Sequence, residues 1–391
     1  MHILVCSPSF PTTKTIDFVF VDQLCRAFAD LGHDVTVIAP QSVTKCLFRH
    51  IPLMPRHSFY KTARGAEIEL YRPYMVSLGN LLFARLFKNS FQRAVKRAFR
   101  KLKRKPDVCY GHFWSSIFSL YPLAKKNEIP LYGASGEENV GYYVTKDVFF
   151  IDELRQYLSG VVSVSSKNQQ ECFELQLVDK EKSIVVPNAI DQMLFRKLDK
   201  GECRKKCGIA DNDFVVAFVG QFVPRKGSLR LNAALKKLAD KQIKAVFIGS
   251  GSEDPDYEGI IHKGRVAHDD VPKWLNAADV FVLPTDNEGC CNAIIEAMAC
   301  GLPIISTDAP FNYDILNKGN SLMIDCYDID AIADSILNLK NNKELKDTLS
   351  KGAMATAEGL SINKRAEKII EFIQKRNSYG TKTDIHLYPH L

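Results

Sequence analysis

With 391 residues the chain is too long for one ordinary core, so two domains are expected. Its composition, 46% hydrophobic and 25% charged, is that of a soluble globular protein, and no apolar run reaches the ~20 residues of a membrane-spanning helix. The net charge of +7 is concentrated in one stretch with no nucleic-acid-binding motif beside it, so nucleic acid is not an expected partner.

The opening MHILVCSPSFPTT has no basic segment before its apolar run, so it reads as a first strand rather than a cleaved signal peptide. Strand-like runs then alternate with amphipathic helical stretches. HILVC (2–6), a helix over 17–32 and DVTVIAP (34–40) come first. A long helical stretch (80–104), DVCYG (107–111), IPLYG (129–133), VVSVS (161–165) and SIVVPN (183–188) follow. The second half repeats the scheme with FVVAFVG (214–220), a helix over 228–240, KAVFIGSG (244–251), VFVLPT (280–285), a helix from 292 to 300 and PIIST (303–307), then three helical stretches. Such alternation in two blocks predicts two doubly wound parallel sheets, with ligands beyond the strand C-termini and a cleft between the domains as the natural site. The boundary is expected in the charged stretch 191–208. That assigns 1–193 to a first domain, 194–360 to a second and 361–391 to a C-terminal helix packing back on the first.

Eleven cysteines, an odd number without a framework, read as reduced cytosolic thiols. Cys203 and Cys207 are helically spaced but lack a second ligand pair, and Cys290 and Cys291 likewise read as small residues where bulk is not tolerated. No metal site and no cofactor are expected. Asp254 and Asp256 could pair on a cation, but the surrounding Pro and Gly favour a surface turn.

Three loops that follow strands carry chemistry. In NEGCCNAIIEAMACGLP (287–303), Glu288 and Gly289 precede the helix and Glu296 lies about one turn inside it. The free N–H groups of a helix start suit a phosphate or polyhydroxyl ligand, and Gly289, Cys290 and Cys291 allow close approach. Carboxylates accept hydrogen bonds from vicinal hydroxyls, so the pair could grip two sugars of one ligand. Spacing alone leaves open the alternative of a loop cap and a solvated helix residue. In VGQFVPRKGS (219–228), Gly220 and Gly227 flank Arg225 and Lys226, two cations at a helix start. The third loop, GSGSEDPDYEG (249–259), holds only a fragment of a dinucleotide fingerprint.

These pieces together resemble a retaining glycosyltransferase of family 4, with the GT-B fold of two Rossmann-like α/β domains and an intervening cleft. ILVCSPSFP with LGHDVTVIAP resembles the first two strands, SIVVPNAID the end of the first domain, VGQFVPRKG the phosphate loop, and AADVFVLPT with EGCCNAIIEAMACGLPIIST the Glu-x(7)-Glu region. The resemblance implies that Arg225 and Lys226 neutralise the donor diphosphate, with Gly220 in the same loop. It implies that Glu288 holds the transferred sugar, Glu296 the ribose, and Val266 the base. The N–H groups of Cys290, Cys291 and Asn292 would meet sugar or phosphate. Departure of a nucleoside diphosphate leaves an oxocarbenium-like sugar, so catalysis should rest on stabilising the leaving charge with fixed cations and helix dipoles, without a metal. Two departures stand out: PTTKTIDFVF (11–20) lacks the Gly-Gly of the first loop, and YGASGEEN (132–139) lacks the usual His, with Ser135, Gly136 and Glu137 in its place. Glu137 and His112 are the acceptor-side candidates.

Between Arg85 and Lys105 there are ten Lys or Arg and no acid, while Leu82, Phe83, Leu86, Phe87, Phe91, Val95, Phe99 and Leu102 recur at three or four residues. This amphipathic pattern suits an anionic membrane surface, with a stripe that packs in part on the first domain. The expected activity is therefore transfer of a hexose-type sugar from a nucleotide-diphosphate sugar to a saccharide or lipid-linked saccharide. The setting would be bacterial surface-polysaccharide assembly at the cytoplasmic face of the membrane. The alternatives are an epimerase or hydrolase of the same fold, an NAD-dependent oxidoreductase and a non-catalytic carbohydrate-binding relative. SPSFPTT in place of a glycine fingerprint disfavours the oxidoreductase, and the intact Arg, Lys and two Glu disfavour the non-catalytic relative.

Overall fold

The computed structural model describes residues 1–12, 17–48, 50–77, 84–143 and 148–383. It divides into two compact units, Met1–Val186 with the chain from Asn363 onward, and Pro187–Ile362. The crossing at Val186 lies ahead of the charged stretch 191–208, because that stretch is built into the second unit. Phe195 is buried, Asp199 caps the helix Lys200–Cys207, and buried Arg204 meets Asp279 at 2.7 Å and four backbone carbonyls. Charge run here means a paired structural helix, not a solvated linker.

The first unit is built on ten strands: β1 (His2–Cys6), β2 (Asp34–Ile38), β3 (Gln41–Ser42), β4 (His57–Lys61), β5 (Glu67–Tyr71), β6 (Tyr74–Met75), β7 (Val108–His112), β8 (Leu131–Ser135), β9 (Gly160–Ser163) and β10 (Ser183–Val185). Eight form one sheet in the order β10-β9-β8-β7-β1-β2-β5-β4, parallel except for β4, while β3 and β6 pair separately. β1, β7, β8 and β9 are buried along their whole length, the pattern of strands covered on both faces. The order reverses between β1 and β7, so the loops that follow these two strands flank the switch point.

The helix Ala84–Phe99 shares one core cluster with the helix Trp114–Lys126: Phe91, Ala94, Val95 and Ala98 are buried against Trp114, Ile117, Phe118 and Tyr121. The stripe thus packs, as its spacing predicts. Leu82 and Phe83 lie outside the described residues, as do the side chains of Leu86 and Phe87. The C-terminal helix Ile362–Thr383 covers β8 and β9. Tyr132 donates its hydroxyl to the Ile373 carbonyl at 3.2 Å and to Asn377 Oδ1 at 2.6 Å, and Arg376 donates to the Ser159 carbonyl. Gly160 permits this contact, since a Cβ there would sit 2.6 Å from the Phe372 ring.

The second unit holds β11 (Phe214–Val219), β12 (Ile243–Ile248), β13 (Ile260–Gly264), β14 (Val280–Leu283), β15 (Ile304–Thr307) and β16 (Ser321–Ile324), all parallel, in the order β13-β12-β11-β14-β15-β16. Its switch point lies between β11 and β14. Around it the loops press backbone on backbone. A Cβ on Gly249 (φ +153°) would lie 1.8 Å from the Gly220 carbonyl oxygen, and one on Gly227 (φ +76°) would lie 2.3 Å from that of Pro284.

Gly249→Ala should therefore cost at least about 2 kcal/mol, since both the backbone conformation and the contact forbid a side chain. Gly208→Ala is the comparison: φ is +69° but nothing lies within 4 Å, so only the conformational cost of about 1 kcal/mol applies. Urea denaturation of both variants, followed by the second unit's unfolding, checks the ordering.

Candidate functional site

Four strand ends of the second unit deliver the site. The turn Pro224–Lys226 follows β11 and precedes the helix Ser228–Leu238. The loop 284–291 follows β14 and precedes the helix Asn292–Ala299. The two loops meet at the switch point. Glu288 Oε1 lies 2.9 Å from Arg225 Nη1, 2.5 Å from Lys226 Nζ and 2.9 Å from Thr285 Oγ1. Arg225 Nη1 also donates to the Asn287 carbonyl at 2.7 Å, and Thr285 Oγ1 to the Arg225 carbonyl at 3.1 Å. A single carboxylate oxygen thus clamps both predicted phosphate cations to the loop across from them.

Glu288 is buried, at 8% exposure, and Lys226 is largely buried as well. Burial works against the Lys226 ammonium, but its interactions with neighbouring groups, the Glu288 carboxylate among them, outweigh it and hold the group above its ordinary value. Lys226 therefore keeps its charge at neutral pH.

The helix Asn292–Ala299 forms because Ile294, Ile295, Ala297 and Met298 supply a buried face. Its N-cap residue, Cys291, makes no side-chain capping bond of ordinary geometry, although backbone N–H groups of Ile294 and Ala293 lie near enough to ease its thiol. Burial pushes that thiol above its usual value, so it is a neutral small residue and not a nucleophile. The Asn292 side-chain oxygen is buried without a hydrogen-bond partner among the described residues. Asn188 donates to the Cys290 carbonyl at 3.0 Å and pins the loop.

Glu296 lies one turn along this helix. Its side chain is 15% exposed, and His268 Nε2 lies 3.9 Å away. Burial alone raises its carboxyl to about 7. No described residue donates a hydrogen bond to it, which marks it as a candidate ligand contact. His268 is held neutral by burial and rests edge-on against Phe195. Val266, half-buried, follows β13 two residues before His268, and Arg265 donates to Ser250 at 2.7 Å. Gly220 supplies the carbonyl on which Gly249 closes. The predicted donor-side residues Gly220, Arg225, Lys226, Val266, Glu288, Gly289, Cys290, Cys291, Asn292 and Glu296 thus all lie on loops or a helix start beyond strand C-termini.

Thr285, His268 and Asn188 were not foreseen. His268 could have been found, standing in the same post-strand loop as Val266. Nothing in the sequence marks Thr285 or Asn188. Asp254 is paired with Lys263 at 2.8 Å, and Asp256 with Lys236 at 2.7 Å and Asn232 at 2.8 Å, as befits a surface turn. Among the described residues no group of three or more His, Cys, Asp or Glu is placed to hold a metal.

In the first unit, Glu137 has a structural task. Its Oε1 accepts from the backbone N–H of Trp114 at 2.6 Å, its Oε2 from the N–H of Gly136 at 2.9 Å and from Ser135 Oγ at 3.4 Å. It closes the start of the helix Trp114–Lys126 from the end of β8, which leaves it poorly placed for the sugar contact considered for it. Burial raises it to about 7 against the pull of these bonds. His112 ends β7, buried, with Nδ1 unpartnered among the described residues. Burial and the Arg365 guanidinium push it down to about 3, so it is neutral.

A family model described as Glycosyltransferase Family 4 matches residues 18–193, and one described as Glycosyl transferases group 1 matches 199–356. The chain is 29% identical over 362 residues to TuaC, named for teichuronic acid biosynthesis, in Bacillus subtilis, covering 88% of this chain and 90% of that one. It is also 29% identical over 225 residues to an Escherichia coli UDP-Gal:alpha-D-GlcNAc-diphosphoundecaprenol alpha-1,3-galactosyltransferase, covering 54% of this chain and 58% of that one. Among solved structures, sucrose-phosphate synthase of Thermosynechococcus elongatus superposes with a TM-score of 0.77 at 17% identity, over 97% of this chain and 99% of that one. Anabaena HepE in complex with UDP-glucose gives 0.71 at 18%, over 96% and 100%. Two Rossmann-like units with a cationic switch-point site define the class: this is a glycosyltransferase of the GT-B fold. Within that class the family 4 model matches the first half of the chain and the group 1 model much of the second, so the likeness is to family 4.

The buried Glu296 gives a pH signature. Its folded value of about 7 exceeds the ordinary 4.5, so the native state binds the extra proton, and stability falls as pH rises from about 4.5 to about 7. The full effect is up to about 3 kcal/mol. Glu296→Gln should be more stable than the unaltered protein at pH 8, with the gap closing toward pH 5. Thermal melts across that range check it, and a pH-independent gap would contradict the assignment.

Proposed function

We propose that the chain moves a sugar from a nucleotide-diphosphate sugar to a saccharide or lipid-linked saccharide, with retention and without a metal, at the cytoplasmic face of a bacterial membrane. The observation that carries this reading is the convergence of Arg225, Lys226 and Glu288 beside the start of the helix Asn292–Ala299, with Glu296 one turn further on. In this reading the cations take a diphosphate, with the transferred sugar toward Glu288 and the ribose toward Glu296. The named substrates of the galactosyltransferase relative, a UDP-sugar and a diphosphoundecaprenol-linked sugar, support the donor and acceptor classes. TuaC supports a place in surface-polysaccharide assembly.

In this reading the sugar–phosphate bond breaks toward the diphosphate. Arg225 and Lys226 meet its growing charge, already fixed in place by Glu288, so little reorganisation accompanies bond cleavage. The first-turn N–H groups of Cys291 and Asn292 add the positive end of the helix. Glu288 faces the transferred sugar while it holds the cations, and the acceptor hydroxyl attacks from the face the phosphate leaves, passing its proton to the departing phosphate oxygen as the new glycosidic bond forms. Glu296 accepts the ribose hydroxyls and Val266 lies against the base. The acceptor-side candidates are His112, at the first unit's own switch point, and Glu137, which fixes a helix start in that unit.

Calorimetric titration with a nucleoside diphosphate, which has a ribose but no transferred sugar, tests this division. Glu296→Gln should weaken binding by about 10-fold or more, the worth of a charge-assisted contact. Glu288→Gln keeps an oxygen for the two cations and removes a negative charge facing the diphosphate, so binding should be kept or tightened while turnover falls. Weakening confined to Glu288→Gln would refute the assignment.

Transfer should also survive EDTA, because Arg225, Lys226 and the helix start carry the leaving charge. Loss restored by manganese would instead implicate a cation, with Asp254 and Asp256 as the first residues to test.

A further inference from the structure

We propose that a cationic cleft in the helical face of the first unit seats the phosphate headgroups of an anionic lipid bilayer. The proposal rests on the membrane-face reading above and gives it a place in the fold. A cleft of about 760 Å³ lies between the helices Ala84–Phe99 and Trp114–Lys126 and the segments that lead into β7 and β8. Arg93, Lys96, Arg100, Lys105 and Lys126 line it, all exposed. Among the described residues none of these five forms an ion pair, whereas Arg104 on the same rim is bonded to Asp34 at 2.9 Å. No acidic side chain lines the cleft. Its ten-cation segment alone exceeds the net +7 of the whole chain, so the remainder of the protein is net acidic.

A soluble phosphate does not need this geometry. Arg93, Lys96 and Arg100 climb two turns of one helix face, a rise of about 10 Å, which matches several headgroups rather than one anion. Phe99 and Leu102 stand half-buried among the cations and Pro122 is exposed beside them, so the charged stems flank apolar surface. Lysine and arginine that bury their stems and lift their heads beside an apolar strip form the pattern of an interfacial helix. The packed stripe of Phe91 and Val95 fixes this face rigidly outward.

The cleft is also separate from the sugar chemistry. Its rim residues Lys105 and Ile129 precede β7 and β8, while His112 and Glu137 lie at or beyond the far ends of those strands. Five-residue strands place the two about 16 Å apart or more. The cations can therefore be altered without touching His112 or Glu137.

Binding of the full chain to phosphatidylcholine vesicles, with and without phosphatidylglycerol, provides the test. The unaltered protein should bind only the anionic vesicles, and less as salt rises. Each cation near such a surface changes partitioning about five-fold, so R93Q/K96Q/R100Q should lose about 100-fold. The control K343Q/K351Q/K368Q removes the same charge elsewhere and should bind nearly as the unaltered protein does. Equal losses in the two triple variants would overturn the cleft in favour of net charge alone. Absence of binding to anionic vesicles, or single-stranded RNA binding as tightly at the same salt, would overturn the lipid assignment. Transfer to a water-soluble acceptor saccharide, measured in parallel, should be unchanged in R93Q/K96Q/R100Q. Vesicle binding without any transfer would leave the cleft standing and remove the glycosyl-transfer reading, and transfer without vesicle binding would do the reverse.

Discussion

The candidate site of the second unit depends on one oxygen atom. Glu288 Oε1 accepts from Arg225, Lys226 and Thr285 at once, and through them ties the loop after β11 to the loop after β14. Two cations brought side by side repel each other. A carboxylate placed between them offsets that repulsion and fixes their positions. It also leaves a net positive site, since two cations face one anion. The surrounding glycines serve the same end. Gly227 and Gly249 let backbone approach backbone where a side chain would hold the loops apart.

The two units repeat one architectural solution with different filling. Each is a parallel sheet whose strand order reverses, and each collects its special residues at that reversal. In the second unit the reversal gathers charge. In the first it gathers aromatic rings: Phe18 and Phe113, both in the left-handed region at helix starts, lie 5.6 Å apart with Phe20 and His112 against them. Bulky residues hold such backbone angles only where the surroundings impose them.

Much of this was legible in the sequence because it is written in local pattern. Strand–helix alternation, the apolar stripe with Phe91 and Val95, and the paired loops around Arg225 and Glu288 each occupy a short window. What was not legible is long-range. Glu137 lies one residue after Gly136 in a loop that resembles a sugar contact. Its actual partner is the N–H of Trp114, 23 residues away. The stretch 191–208 looks like a linker by composition, yet Arg204 is neutralised by Asp279, which no local signal predicts. The family resemblance implies a ribose contact for Glu296, whereas spacing alone leaves a solvated helix residue equally open; that no described residue donates to its carboxyl could only be seen once the helix was packed.

The C-terminal helix has a consequence for how the enzyme is made. Its residues from Asn363 belong to the first unit, although the whole second unit intervenes in the chain. Tyr132 and Gly160 present surfaces that Phe372, Ile373 and Asn377 cover. During synthesis the domain that leaves the ribosome first must wait, with part of its sheet bare, until the second has been translated and the helix Ile362–Thr383 has emerged. The order of translation and the order of completion are therefore opposite, and a chain cut short within that helix would have a complete second unit and an incomplete first one.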